Sequence, residues 1–391
     1  MLQPKFANNS LLMSATPEQR VVIAFSMLDV EVLREDIEKL FSARLNWPWI
    51  IMQAMHHRTV SMQWGALKRL SLVRGASKSG MPKNWIAYCD QLSRASTKRN
   101  EKWLERLEDV FQALETAGIK AVCIKGGALI GDLYDSQTRM LGDIDTLAPK
   151  QDRKAVRDVL LQFGFKQGVI DPVTSKIEPL SREKRLFWSI NAHLMPKFTL
   201  DLHDPDCPFL RLAVGFDFFD PGDPHSYPSE AVISRRIAKS PSSHVYVPDA
   251  ADTIISLCVH IFRDATSATM GFAGDNWNLW KFCDFRSKLA QVDSAEITKV
   301  LRPRLEAAGL EKAFYYALYY TDKVYGDPRL EPWFDLCGRL DNFDYLCEIA
   351  DGQRRVRYDR QFVDQLFDTE RLEVPGLQPV WSKVMGDGEW W

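Results

Sequence analysis

The chain predicts an α+β fold in which a small mixed sheet sits between two helical units, and three features carry that prediction. Apolar residues recur at helical spacing through most of residues 17–118. Short apolar runs bounded by glycine and proline replace them over 119–205, and helical spacing returns after Asp249. At 391 residues the chain exceeds what one core usually serves, so several packed units are expected. These are a helical unit over 1–118, a sheet core over 119–205, an irregular connection over 206–249 and a second helical unit over 250–391.

Taken in order, Thr16-Pro17-Glu18-Gln19 offers an N-cap, a proline at the first helical position and a capping-box glutamine, so a helix starts there. The helical pattern breaks at Asn46-Trp47-Pro48 and across Gly75 to Pro82, and its last helix, 97–117, ends at Gly118. Ile119 to Ile124 reads as a buried strand, followed by a helix over 127–134, a strand over 140–147 and a helix over 150–162. Beyond Gly164 the chain turns extended, and Trp188 to His193 and Phe198 to His203 read as strands separated by Met195-Pro196-Lys197. Residues 204–249 are rich in Pro, Asp and Ser, which predicts an irregular path with short elements. Asp249 then caps a helix striped with Ile254, Leu257, Cys258 and Ile261. Asp264 to Gly274 reads as a loop over the pocket, and Arg354-Arg355-Val356-Arg357 as a solvated helix face.

The bulk numbers exclude several classes. A hydrophobic share of 46% against 26% charged residues places the chain among folded globular proteins. A net charge of −2 gives no global footprint for gripping a long nucleic acid. Seven scattered cysteines without a C-x-x-C pair argue against structural zinc and a disulfide framework. The N-terminus lacks the layout of a secretory signal and no apolar run is long enough for a membrane helix, so a cytoplasmic location is expected.

The densest chemistry lies in Ile124 to Leu147. Asp143 and Asp145 flank the apolar Ile144, so as strand residues both carboxylates leave one face, roughly 6 to 7 Å apart. Such a pair can hold Mg²⁺, which takes one or two protein carboxylates and completes its shell with water and phosphate. Lys125-Gly126-Gly127 stands where a strand turns into a helix, a place where backbone N–H groups can meet phosphate. Arg139 is positioned by sequence to fork onto phosphate oxygens, and Lys125 to meet them as a point charge. In Leu200-Asp201-Leu202-His203, Asp201 is expected on a strand neighbouring the pair, as third carboxylate of a two-metal platform and as general base. His203 reads equally as pocket lining or as a structural histidine. Packing is the default for His260, His56-His57, Trp277, Trp280 and Phe282.

At these residues the chain resembles the DNA polymerase β-type nucleotidyltransferase superfamily, whose small mixed sheet carries a glycine turn, an Asp-x-Asp strand and a third acidic strand. The resemblance implies that Asp143, Asp145 and Asp201 bind metal, that Gly126-Gly127 is the glycine turn, and that Mg²⁺ (or Mn²⁺) and an NTP donor are required. Superfamily members often carry Gly-Ser where this chain has Gly126-Gly127 after Lys125. Lys-Gly-Gly, Tyr134, Arg139 and Asp143-Ile144-Asp145 are closer to two branches of that superfamily, one being the poorly characterised bacterial nucleotidyltransferase family. The chain resembles that family over about residues 45–290, in the Trp-containing helical region around Trp47, the Asp201-Leu202-His203 strand, and a helix with His260 followed by an acidic helix near Asp284. A narrower similarity, Lys125 to Leu147, runs to abortive-infection toxin nucleotidyltransferases, some of which modify RNA ends. The expected reaction is transfer of a nucleoside monophosphate to a hydroxyl of a small molecule or peptide. RNA 3′-end modification and non-catalytic nucleotide sensing are the alternatives.

Overall fold

In the computed structural model, which describes residues 10–171, 173–221, 223–337, 342–351, 354–358 and 360–370, local capping chemistry sets the first helices. Thr16 Oγ1 accepts the Gln19 N–H while the Gln19 side chain accepts that of Thr16, starting the helix Pro17–Ala24. Asn46 caps Trp47–His56 by accepting the Trp49 N–H, and the buried Trp47 indole donates to Ser79 at 3.0 Å. The helix Lys83–Thr116 begins well before the predicted residue 97. Its buried stripe is Cys89, Ser93, Ser96, Asn100, Trp103, Leu107 and Val110, so helical spacing is kept while the early positions are small or polar. Gly118, at φ +75°, follows the helix end.

The sheet comprises β1 (Val122–Ile124), β2 (Ile144–Leu147), β3 (Lys166–Ile170), β4 (Ile177–Pro179), β5 (Phe198–Asp201) and β6 (Phe209–Gly215), in spatial order β1-β2-β6-β5-β3-β4. β2 and β6 are parallel and the other pairs antiparallel. β6 corrects the expected layout: it lies at the centre of the sheet, so the core runs past the boundary expected at 205 and part of the supposed irregular connection is a central strand. Ile144, Leu212 and Phe198 stand side by side across β2, β6 and β5, all buried on one face. That row fixes which residues face the other side.

A second correction concerns Trp188 to His193, most of which lies in the helix Arg182–Asn191, started by Ser181 accepting the Lys184 N–H at 3.2 Å. Further on, β7 (Ile237–Ala238) and β8 (Tyr246–Val247) form a small hairpin before Asp249 caps the helix Ala250–Thr266. This helix is buried on nearly all sides, between Leu279–Gln291 and Glu311–Tyr325. The expected loop after Asp264 is instead the end of that helix followed by the helix Ala268–Phe272. The arginine run is a strand, β10 (Arg354–Arg357), paired with β9 (Glu348–Asp351). The main sheet and most helices share a hydrophobic core reaching from Leu12 to Phe367, while Ala268 and Ile349 form a small second cluster. No helix among the described residues is long and apolar enough to cross a membrane.

Candidate active site

Ile144 points into the core, so Asp143, just before β2, and Asp145, within it, present their carboxylates on the opposite face. β1 pairs Ile124 with Asp145, which brings the next residue, Lys125, beside that carboxylate. Its backbone turns left-handed, φ +51°, and its Nζ lies 3.0 Å from Asp145 Oδ1. From the other flank Lys197, immediately ahead of β5, reaches over β6 to place its Nζ 2.7 Å from Asp143 Oδ2. Burial pushes the Asp143 carboxyl up, but Lys197, Lys125 and Arg58 outweigh it and hold the group well below the usual carboxylate range. The Asp143 charge in turn pushes the Lys197 ammonium up. Both carboxylates are thus matched by an ammonium at a position a divalent ion could take. Lys197 escapes sequence reading because Met195-Pro196-Lys197 looks like a spacer between strands.

The other expected site residues separate into different roles. Gly126 and Gly127 are buried, and an added Cβ would lie 2.6 Å from Leu141 Cδ2 at the first and 2.7 Å from Cys123 Sγ at the second. Close packing of the helix Lys125–Leu129 on the sheet therefore demands glycine at both. Arg139, expected on phosphate, is buried: its Nε and Nη2 donate to the two oxygens of Asp284 at 3.2 and 3.1 Å, and its guanidinium stacks 4.0 Å over Trp280. Tyr134 donates to the same carboxylate at 2.6 Å. This closed network braces the glycine turn from beneath and leaves the guanidinium no fork for phosphate.

Asp201 also departs from its expected place. β6 intervenes between β2 and β5, and Asp201 pairs with Phe209, whereas the Asp143 row continues through Arg211 to Thr199. Asp201 shares the face of the pair, but two strand spacings and two residues put its backbone roughly 12 Å from that of Asp143, too far to share an ion. Its carboxylate accepts the His203 N–H at 2.8 Å, and the His203 side chain is 86% exposed, so neither group lines a common pocket with the pair. Among the described residues no group of three or more His, Cys, Asp or Glu could hold a metal.

The fold and the acidic strand can be set beside known proteins. The model of a family described as uncharacterised nucleotidyltransferase matches residues 43–326, from the second capped helix through the whole sheet to the end of Glu311–Tyr325. The chain belongs to this nucleotidyltransferase family. No curated protein matches it.

In this nucleotidyltransferase the carboxylate pair is bordered by a charged web that the sequence only half reveals. His260 Nε2 lies 2.9 Å from Asp264 Oδ2, which also accepts from Lys281 at 2.8 Å. Burial, then the Lys125 charge, holds the His260 imidazole well below its ordinary value. Arg263 bridges Asp264 at 3.1 Å and His193 at 2.8 Å, and His193 in turn meets Asp220 at 2.6 Å. Arg58 closes the circuit against Asp275 at 3.0 Å. A helical spacing of four ties His260 to Asp264, and that was the available signal.

Proposed function

We propose that this nucleotidyltransferase moves a nucleoside monophosphate from an NTP to a hydroxyl of a small molecule or peptide, with Mg²⁺ or Mn²⁺ held by Asp143 and Asp145. The observation that carries the reading is the pair itself: two carboxylates on one face, Asp143 held ionised, each balanced by a lysine ammonium. Their hard oxygens suit Mg²⁺, and two protein carboxylates are as many as that ion usually takes. When bound, the metal supplies Lewis-acid stabilisation of charge on the phosphates.

The chain's own residues do the rest. Lys125, on the β1 flank of the pair, holds the donor's negative charge against the sheet, while Lys197, on the opposite flank, keeps Asp143 charged. The acceptor oxygen bonds to the α-phosphorus, the bond to the leaving pyrophosphate breaks, and the hydroxyl proton passes to solvent or a nearby base. Arg139, Asp284 and Tyr134 keep the glycine turn in place without touching substrate. The Asp201 carboxylate stands apart from the metal-binding pair in this reading.

The test is incubation of the protein with each α-³²P NTP and Mg²⁺, with and without total RNA and a small-metabolite extract. Label in a small molecule or a peptide supports the reading. Label in RNA replaces the acceptor class, and metal-dependent NTP binding without any labelled product replaces the enzyme with a nucleotide sensor.

A further inference from the structure

On the same face as the carboxylates, the row of Asp143 continues on β6 as Arg211. Arg99 lies on the helix Lys83–Thr116 one turn before Trp103, whose indole donates to Phe209 O at 2.9 Å and so fastens that helix to β6 two residues from Arg211. The Arg99 guanidinium lies 5.2 Å from the Trp103 ring, and its Nε is buried with no hydrogen-bond partner. Among the described residues Arg211 has no ion pair or side-chain hydrogen bond. Both neighbouring lysines on the helix are neutralised, Lys98 by Asp206 at 2.6 Å and Lys102 by Asp204. No carboxylate acts on Arg99: burial pushes its guanidinium down, Cys207 pulls the other way, and the Arg211 charge adds a smaller downward push. Two arginines that repel each other in a partly buried place are costly to the fold unless an anion completes them.

Their position says which anion. Lys125 and the glycine turn lie on the β1 flank of the carboxylate pair, and Arg211 with Arg99 on the β6 flank. In-line transfer puts the incoming hydroxyl and the departing pyrophosphate on opposite sides of the α-phosphorus. With the donor's pyrophosphate toward Lys125, the arginines belong to the acceptor's side. Paired guanidiniums present forked donors that match a terminal phosphate, and the burial of Arg99 Nε between helix and sheet suits a phosphomonoester end better than an internal phosphodiester. Resting on the nucleotidyltransferase reading above, we propose that Arg99 and Arg211 form an anion subsite for the acceptor, which is a small hydroxyl compound carrying a phosphate group.

The test uses the full chain saturated with Mg²⁺ and an α,β-methylene NTP, into which inorganic phosphate is titrated by calorimetry. The wild type binds phosphate alongside the analogue, and Arg99→Gln/Arg211→Gln weakens phosphate by about tenfold or more. The same variant keeps its analogue affinity within about twofold, because neither arginine is ion-paired with Asp143, Asp145 or Lys125. Unchanged phosphate binding overturns the proposal, as does an equal loss of analogue binding, which would assign the arginines to the donor triphosphate. Phosphate-independent retention of total RNA that only the double variant loses overturns the small-molecule class. Thermal melting guards against misfolding: Arg211→Gln alone melts no lower than wild type, and a clear drop would make the arginines structural. Failure of the wild type to bind the analogue at all sinks the nucleotidyltransferase reading itself and is seen before phosphate is added.

Discussion

Lys125 and Lys197 compete with any added cation for Asp145 and Asp143, and that competition is measurable. Lys197→Ala should tighten Mn²⁺ binding in the absence of nucleotide while slowing transfer, as read by electron paramagnetic resonance and by label incorporation. Asp143→Asn and Asp145→Asn should each lower transfer by about a thousandfold or more, the scale of several kcal/mol of metal-derived stabilisation. Asp201 is a sharper test of the geometry, since its strand is separated from β2 by β6. Asp201→Asn should leave metal–nucleotide affinity within about twofold, the additivity expected of distant sites. Arg139→Ala strands the buried Asp284 charge and should cost about 3 to 5 kcal/mol in urea unfolding. A fully stable Arg139→Ala with lost NTP binding would return Arg139 to the phosphates.

Among the elements, those whose period matched one burial pattern were legible and the rest were not. β2 shows itself because the partly buried Asp143 and Asp145 flank the fully buried Ile144 in alternation. β6 does not, because Arg211 interrupts its apolar run and the acidic, proline-rich turn before it resembles a loop. The helix Arg182–Asn191 misleads as a strand at its C-terminal end, where its apolar Leu186 and Ile190 stand exposed and so follow no core-facing rule. The Asp-x-Asp face was readable from residues alone, whereas Lys197 and Arg211 reach the site only through sheet order, which pairs distant segments. The short helix Lys125–Leu129 carries its own prediction. Gly127→Ala would place a methyl 2.7 Å from Cys123 Sγ and 3.3 Å from Ile144 Cγ2, both core atoms. It should cost about 1 to 3 kcal/mol of stability, measured by denaturant midpoint, alongside any loss of activity. Lost activity at unchanged stability would favour a backbone-to-phosphate role for the turn.

Across the whole molecule, buried histidines tie stability to pH. Burial first, and then His56 beside His57, Arg263 beside His193 and Lys125 beside His260, push these three imidazoles below their ordinary value, so the folded chain resists protons that the unfolded chain accepts. Stability should therefore fall as pH drops below about 6.5, by up to roughly 1.4 kcal/mol per unit for each histidine until its folded value is reached. The aspartates act lower. Burial raises Asp29, but Arg286 and Arg329 bring it to about 2, and Asp143 and Asp264 are also held down, so their stabilisation is present above about pH 4 and is lost on further acidification. Melting temperatures from pH 7.5 to 5 should decline in the histidine window, and a flat profile there would show that these imidazoles titrate normally.

The most direct measurement is Mn²⁺ binding, followed by electron paramagnetic resonance, with a non-hydrolysable NTP present and with three forms compared: wild type, Asp143→Asn/Asp145→Asn and Asp201→Asn. Nucleotide-dependent binding in the wild type, its loss in the double variant and its retention in Asp201→Asn are the predicted results. Binding that survives removal of the pair, or that disappears equally with Asp201, would contradict a metal site built on Asp143 and Asp145.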